Sequence, residues 1–308
     1  MKERPLVVLV GPTAVGKTAV SLQLANLLDG EIVSADSRLV YRGMDIGTAK
    51  PTEAERAQVA HHLIDVTMPD LGYSLAAYRR AALAEIEGIH NRGRLPLLVG
   101  GTGQYVTAVV EGWQPPPRAQ DWGLRRELQA VADDLGPQAL HGRLAQVDPV
   151  RAAAIDPRNV RRVIRALEIY QLTGQPPSEL RSKQPPPFAI LQLGLTLPRP
   201  ELYRRIDQRI ESMLAAGWLT EVEALLAAGV PPEAPPMSAI GYRQLVEHLQ
   251  GKLTLDEARR QIQRRSRQFV RRQANWFKAD DPAIHWFNNE PGVAGKMADV
   301  IKGWLEWD

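Results

Sequence analysis

The chain has 308 residues, 44% hydrophobic and 24% charged, with a net charge of +3 and no cysteine. That length holds one large domain or two ordinary ones with an ample core, and the missing cysteines exclude disulfides and thiolate metal sites. No apolar stretch reaches the ~18 residues of a membrane span, and no signal peptide is visible before the first apolar run, so a cytoplasmic enzyme is expected.

The first apolar run, LVVLV at 6–10, has the look of a buried strand, and the next eight residues are GPTAVGKT. These are Gly11, Pro12, Thr13, Ala14, Val15, Gly16, Lys17 and Thr18, and they fit G-x-x-x-x-G-K-[ST], the phosphate-binding loop. Glycines let backbone N–H groups turn in around a phosphate. A helix beginning near Lys17 adds the positive end of its dipole. Lys17 supplies a mobile charge, and the Thr18 hydroxyl suits Mg²⁺. A helical pattern with Val20, Leu24, Leu27 and Leu28 on one side follows. The loop specifies a polyphosphate and Mg²⁺ without saying which molecule carries the phosphates.

Residues 31–35 read as a second strand ending at Asp36, and Thr52 with Glu55 forms a capping box. Ser74 is placed to cap a helix through residue 89, and 95–99 reads as a further strand ending in Gly100-Gly101-Thr102-Gly103. The β-α-β-α order predicts a parallel sheet with helices on both faces. Ligands bind at the C-terminal edge of such sheets, so residues 11–18, Asp36 and Thr102 are expected to converge.

Two triple-proline runs, at 115–117 and 185–187, then bracket about seventy helical residues. Leu124, Leu128, Val131 and Leu135 share one helical face; Val160, Ile164, Leu167 and Tyr170 share another. Triple prolines form stiff linkers, and the segment reads as a helical insertion, residues 114–187, within a core made of 1–113 and 188–308. The alternative is ordinary helices packed on that core. Residues 188–197 read as a returning strand. Helices follow at 201–216, 219–228, 238–250 and 256–278, the last capped by Thr254 and Glu257. A strand at 284–287 and a helix at 297–307 end the pattern. The 256–278 helix repeats Ile262, Phe269 and Trp276 every seven residues. It carries eight basic side chains, Arg259, Arg260, Arg264, Arg265, Arg267, Arg271, Arg272 and Lys278. A helix so dense in arginine is expected to touch nucleic acid.

At this point the motifs resemble a known family. SADSRLVYRGMDIGTAKP at 34–51, LLVGGTGQY at 97–105, RRVIRALEIYQLTG at 161–174, AIGYRQL at 239–245 and RRQANWF at 271–277, with the phosphate loop, closely resemble bacterial tRNA dimethylallyltransferase, also called tRNA isopentenyltransferase. The motifs stand in the family's order over most of the chain. Gln104, Leu39 and Ser238 depart from its commonest residues.

The resemblance implies an α/β fold of P-loop NTPase type, a parallel sheet flanked by helices with a helical insertion and a helical C-terminal part. It also implies transfer of a dimethylallyl group from dimethylallyl diphosphate to N6 of the adenosine at position 37 of the tRNA, beside the anticodon, in tRNAs reading codons that begin with U. Mg²⁺ is the expected cofactor, the anticodon stem-loop the expected partner, and a monomer the expected state. The chemistry assigns roles. The amides, Lys17 and Mg²⁺ on Thr18 stabilise the departing diphosphate, and the family places an arginine in the helix after the returning strand. Arg209 is the candidate, with Arg205 a second. An exocyclic amine is a poor nucleophile and needs a proton acceptor: Asp36 is the candidate base. Ser37, Arg38, Leu39 and Thr102 are expected around the adenine, which must be flipped out of its stack. Arg125, Arg161, Arg162 and Arg165 are expected to clamp the stem-loop, with Gly241, Tyr242 and Arg243 as further RNA contacts.

The main rival is a nucleotide or small-molecule kinase, with the insertion serving as its lid. An RNA-dependent NTPase motor is a second, but the strand at 95–99 ends in glycines where such a motor carries a metal-binding aspartate.

Overall fold

A computed structural model describes residues 3–114, 121–180 and 183–306. In chain order it has β1 (Pro5–Val10), α1 (Lys17–Leu28), β2 (Gly30–Ser34), α2 (Glu53–Gln58), β3 (His61–His62), α3 (Leu75–Asn91), β4 (Leu95–Val99) and α4 (Gly103–Val110). Then come α5 (Trp122–Leu135), α6 (Pro137–Val147), α7 (Pro149–Ala153) and α8 (Val160–Thr173). The chain returns through β5 (Ala189–Thr196), α9 (Arg199–Ala215), α10 (Trp218–Ala227), a 3-10 turn (Pro235–Ser238), α11 (Tyr242–Leu249), α12 (Leu255–Gln273), β6 (Ile284–Asn288) and α13 (Val293–Glu306).

The six strands form one parallel sheet in the order β3-β2-β4-β1-β5-β6. This is the α/β arrangement that the strand–helix alternation predicts. β1 is central, with Val7 beside both Leu97 and Leu191. Leu6 to Val10 are buried, because helices cover both faces of a parallel sheet and a central strand has no side left for polar residues. All strands run one way, so the segments after β1, β2 and β4 leave at one edge.

Several local readings change. β3 is two polar residues joined to Ile32 and Val33 by backbone pairing; it has no apolar period to betray it. Gly103 opens a helix instead of continuing a turn. On α1, Val20 and Leu24 are buried but Leu27 is exposed. α11 begins at Tyr242 and not at 238, because Ala239 is extended and Gly241 has φ 95°. α12 ends at Gln273. Its seven-residue repeat breaks there: Ile262 is buried, whereas Trp276 lies past the helix end and is exposed. The buried α12 positions are Ala258, Ile262, Val270 and Gln273. Both capping boxes form, Thr52 with Glu55 and Thr254 with Glu257.

The structure divides into two units, one of 1–73, 77–110 and 187–308, the other of 74–76 and 111–186. The first proline run, 115–117, lies outside the described residues; 185–187 has neither helix nor strand. In the second unit, α5, α6 and α8 pack around Leu128, Leu140, Leu144, Val163 and Leu167. Ala132 takes the place expected of Leu135, which is exposed. Asp148 caps α7 and also accepts the Ser178 N–H and hydroxyl, each at 2.8 Å, tying the segment after α8 to the bundle.

Candidate active site

The loop between β1 and α1 is built on backbone conformations that few side chains allow. Gly11 and Gly16 have φ 149° and 101°. A Cβ on Gly11 would stand 2.6 Å from the Leu195 carbonyl, and one on Gly16 would stand 2.4 Å from the Asn289 amide. Val15 is wholly buried under the loop, and α1 starts at Lys17, so the first amides of the helix stay free of intrahelical partners. The Lys17 ammonium donates to the carbonyls of Gly11 and Pro12, at 2.9 and 2.8 Å. Burial lowers its pKa to about 8; Asp36 raises it and Arg209 lowers it further.

Two side chains from the far end of the chain fasten this loop. Asn289, after β6, donates to the Val15 carbonyl at 2.6 Å. Gln273, the last residue of α12, accepts the Thr13 N–H at 2.9 Å and donates to the Gly101 carbonyl at 2.9 Å. The sequence puts Gln273 in its last long helix but marks neither residue, because nothing local signals a hydrogen bond across 260 residues or more.

The ends of β1, β2 and β4 meet over a cavity of about 140 Å³ lined by Lys17, Thr18, Asp36, Leu39, Gly100, Gly101 and Arg209 among others. Gly100 lies so close to Ala35 that a Cβ would meet its carbonyl at 2.2 Å. The Thr102 N–H donates to that same carbonyl, and the Thr102 hydroxyl accepts the Ser37 N–H at 3.0 Å. Asp36 accepts the Arg38 N–H on Oδ1 at 2.8 Å; among the described residues its Oδ2 accepts no hydrogen bond. The carboxylate is thus held by one edge and open on the other. Burial pulls the Arg209 guanidinium below its ordinary pKa, and Asp36 opposes that pull. Arg209 makes no hydrogen bond or ion pair among the described residues. Arg205 is committed to Glu201 at 2.9 Å, although it too approaches Gly16.

The wall of the cavity explains most of the run from Tyr41 to Pro51 as architecture. The Glu221 carboxylate of α10 accepts the N–H groups of Asp45, Ile46 and Gly47 at 2.8, 2.7 and 3.2 Å, and the Tyr242 hydroxyl at 2.6 Å. Lys50 is buried; its ammonium donates to the Tyr41 carbonyl at 2.9 Å and pairs with Asp65 at 2.6 Å and with Asp45. Gly47 admits no side chain, since a Cβ would stand 1.9 Å from the Trp218 indole nitrogen. Thr48, Ala49 and Pro51, which this scaffold presents, line the cavity.

The residues expected to touch RNA fall into two groups. In the first unit Ser37, Arg38 and Leu39 lie beside Asp36, and Arg38 also donates to the Pro235 carbonyl at 3.2 Å. Gly241 and Tyr242 are buried against Trp218 and Glu221, so of that trio Arg243 alone is exposed. In the second unit Arg125 grips the fully buried Glu168 with two bonds of 2.9 Å, and Arg165 pairs with the same carboxylate. Burial pushes the Glu168 carboxyl up, but these hydrogen bonds outweigh it and hold the group ionised. Arg125 and Arg165 therefore build the unit, whereas Arg161 and Arg162 are exposed. On α12, Arg259 pairs with Asp256 and Arg267 with Asp207, while Arg260, Arg264 and Arg265 are unpaired among the described residues.

No three His, Asp or Glu side chains among the described residues could hold a metal ion together. The Thr18 hydroxyl, which has no hydrogen-bond partner among them, lines the cavity with Asp36. One hydroxyl beside an anion site fits Mg²⁺, which keeps most of its waters and takes the rest of its ligands from substrate phosphates. No helix of the described residues is long and apolar enough to cross a membrane.

A family model described as IPP transferase matches residues 39–280. A tRNA dimethylallyltransferase of Roseiflexus sp. (strain RS-1) is 51% identical over 302 residues, covering 98% of this chain and 99% of its own. Among solved structures, a tRNA isopentenylpyrophosphate transferase from Bacillus halodurans superposes with a TM-score of 0.73 at 42% identity, over 99% of this chain and 97% of the other. A eukaryotic dimethylallyltransferase acting on tRNA gives 0.78 at 26% identity, over 98% and 78%.

Proposed function

The chain belongs to the IPP transferase family and is a prenyltransferase that modifies tRNA; from that premise we propose that it moves the dimethylallyl group of dimethylallyl diphosphate to N6 of the adenosine beside the anticodon, at position 37. The observation that carries this reading is the meeting of a phosphate loop with one open carboxylate, Asp36, in a single cavity.

The steps follow from the residues. The loop amides, Lys17 and Arg209 bind the diphosphate and favour its negative charge as the allylic C–O bond breaks. The Thr18 hydroxyl would hold Mg²⁺, which would supply further charge neutralisation on the diphosphate. The adenine enters flipped out of its stack. Its amine nitrogen forms the new bond to the allylic carbon, and Asp36 takes the proton that the nitrogen sheds. Ser37 and Thr102, bonded to each other, hold the backbone that aims Asp36. In the second unit the exposed Arg161 and Arg162 meet the phosphates of the anticodon stem, as do Arg260 and Arg264 on α12 in the first. tRNA as substrate supports work in the cytoplasm.

Incubation with isotope-labelled dimethylallyl diphosphate or ATP, with and without an anticodon stem-loop RNA, tests this. Label is expected in the RNA from the prenyl donor only. RNA-stimulated release of phosphate from ATP without prenylation would restore the kinase or NTPase reading.

A further inference from the structure

Gln273 is a polar side chain that the chemistry just described does not use, yet it is buried, 4% exposed, between two loops of the site. Its amide spends both ends on backbone: Oε1 takes the Thr13 N–H and Nε2 gives to the Gly101 carbonyl, each at 2.9 Å. Thr13 belongs to the loop that cradles phosphate, and Gly101 stands one residue before Thr102. The two loops leave different strands, β1 and β4, and converge closely here. A Cβ on Gly101 would lie 2.4 Å from the Gln273 amide nitrogen, 3.3 Å from the Gly11 carbonyl and 3.5 Å from the Lys17 ammonium.

No other side chain among the described residues is hydrogen-bonded to both loops. A side-chain amide suits this role, since it accepts at one end and donates at the other. Its reach is fixed by the end of α12, which Ile262, Val270 and, just beyond the helix, Phe277 anchor in the core.

We propose that Gln273 is a positioning residue for prenyl transfer, setting the spacing between the diphosphate cradle and the loop after β4, whose Thr102 hydroxyl in turn accepts the Ser37 N–H beside Asp36. The donor carbon is delivered from one loop and the acceptor amine is aligned by the other, so the gap between them fixes the approach distance. Each substrate binds on its own side of the bridge. Loss of the bridge leaves both affinities in place and slows the bond-forming step. A misplacement near 1 Å in such an approach costs about 10²-fold in rate. This inference rests on the function proposed above.

The test is single-turnover transfer with both substrates saturating, beside separate measurements of affinity for inorganic pyrophosphate and for the stem-loop RNA. Gln273→Met keeps the side chain's length and removes both bonds; Gln273→Glu keeps an acceptor for Thr13 and loses the donor to Gly101. The expected result is a rate about 10²-fold lower for Q273M and intermediate for Q273E, with both affinities within about threefold of wild type. Should Q273M fail to fold, the same split in Q273E decides. Wild-type rates in the folded variants, or a loss carried wholly by weaker binding of one substrate, would overturn the proposal. Absence of transfer by the wild type would instead count against the proposed function.

Discussion

The Glu221 carboxylate accepts the Tyr242 hydroxyl at 2.6 Å while its two oxygens also gather three successive backbone N–H groups from Asp45 to Gly47. One carboxylate thus closes a concave row of amides and locks it to the core. Burial first, and then the carboxylate itself, pushes the Tyr242 phenol well up, so the hydroxyl remains a donor throughout the physiological range. Glu221→Ala leaves all four donors without their acceptor. A loss of about 2 kcal/mol is expected, read as a lower midpoint in thermal or urea unfolding. Unchanged stability would show that the loop at 45–47 holds its shape unaided.

Asp36→Asn keeps the size of the side chain and its bond to the Arg38 amide but removes the proton acceptor. Turnover is expected to fall by about 10²- to 10⁴-fold, with the Kd for stem-loop RNA nearly unchanged. A variant that prenylates at the wild-type rate would remove Asp36 from the chemistry.

The pH dependence of donor use follows from Lys17. Its folded-state pKa is lowered to about 8, so the ammonium is present below that pH and is lost as pH rises through it. kcat/KM for the prenyl donor is expected to fall above about pH 8, by tenfold per unit at the steepest. Bound diphosphate favours the charged form, so the corresponding limb of kcat lies at higher pH. Lys17→Met should abolish that limb; a profile that keeps it in the variant would assign it to another group.

Two pairs of arginines in the second unit should behave differently. Replacing the exposed Arg161 and Arg162 with alanine is expected to weaken RNA binding and to flatten the slope of log affinity against log salt by about one per lost phosphate contact. Arg125→Met should act on stability instead, by about 2 kcal/mol, because it strips two hydrogen bonds from a buried carboxylate. Equal salt slopes for wild type and the Arg161/Arg162 variant would exclude that surface from RNA contact.

The phosphate loop and the central strands were legible because their signal is local: a glycine spacing, an unbroken apolar run. β4 was read to the residue, 95–99. β3 escaped because two histidines held by backbone pairing leave no pattern. α12 was read five residues too long because its seven-residue recurrence continued through Trp276, although the chain turns at Gln273. Asp36 and Thr102 were placed at one edge by topology alone. Gln273, Asn289 and Glu221 were not singled out, for most of the partners that give them their roles lie 172 residues or more away in sequence. The converse also held. The run at 45–51 carries much of the family resemblance, yet Asp45, Gly47 and Lys50 are scaffold.

The loop at residues 11–18 leaves the ribosome long before two of its fastenings, Gln273 and Asn289, which follow Thr13 and Val15 by 260 and 274 residues. A nascent chain therefore carries an unfinished anion cradle until both have emerged. Asn289 can hold the cradle without Gln273, but a protein cut short after α11 lacks both fastenings and is expected to bind the donor poorly, however well its amino-terminal sheet has folded.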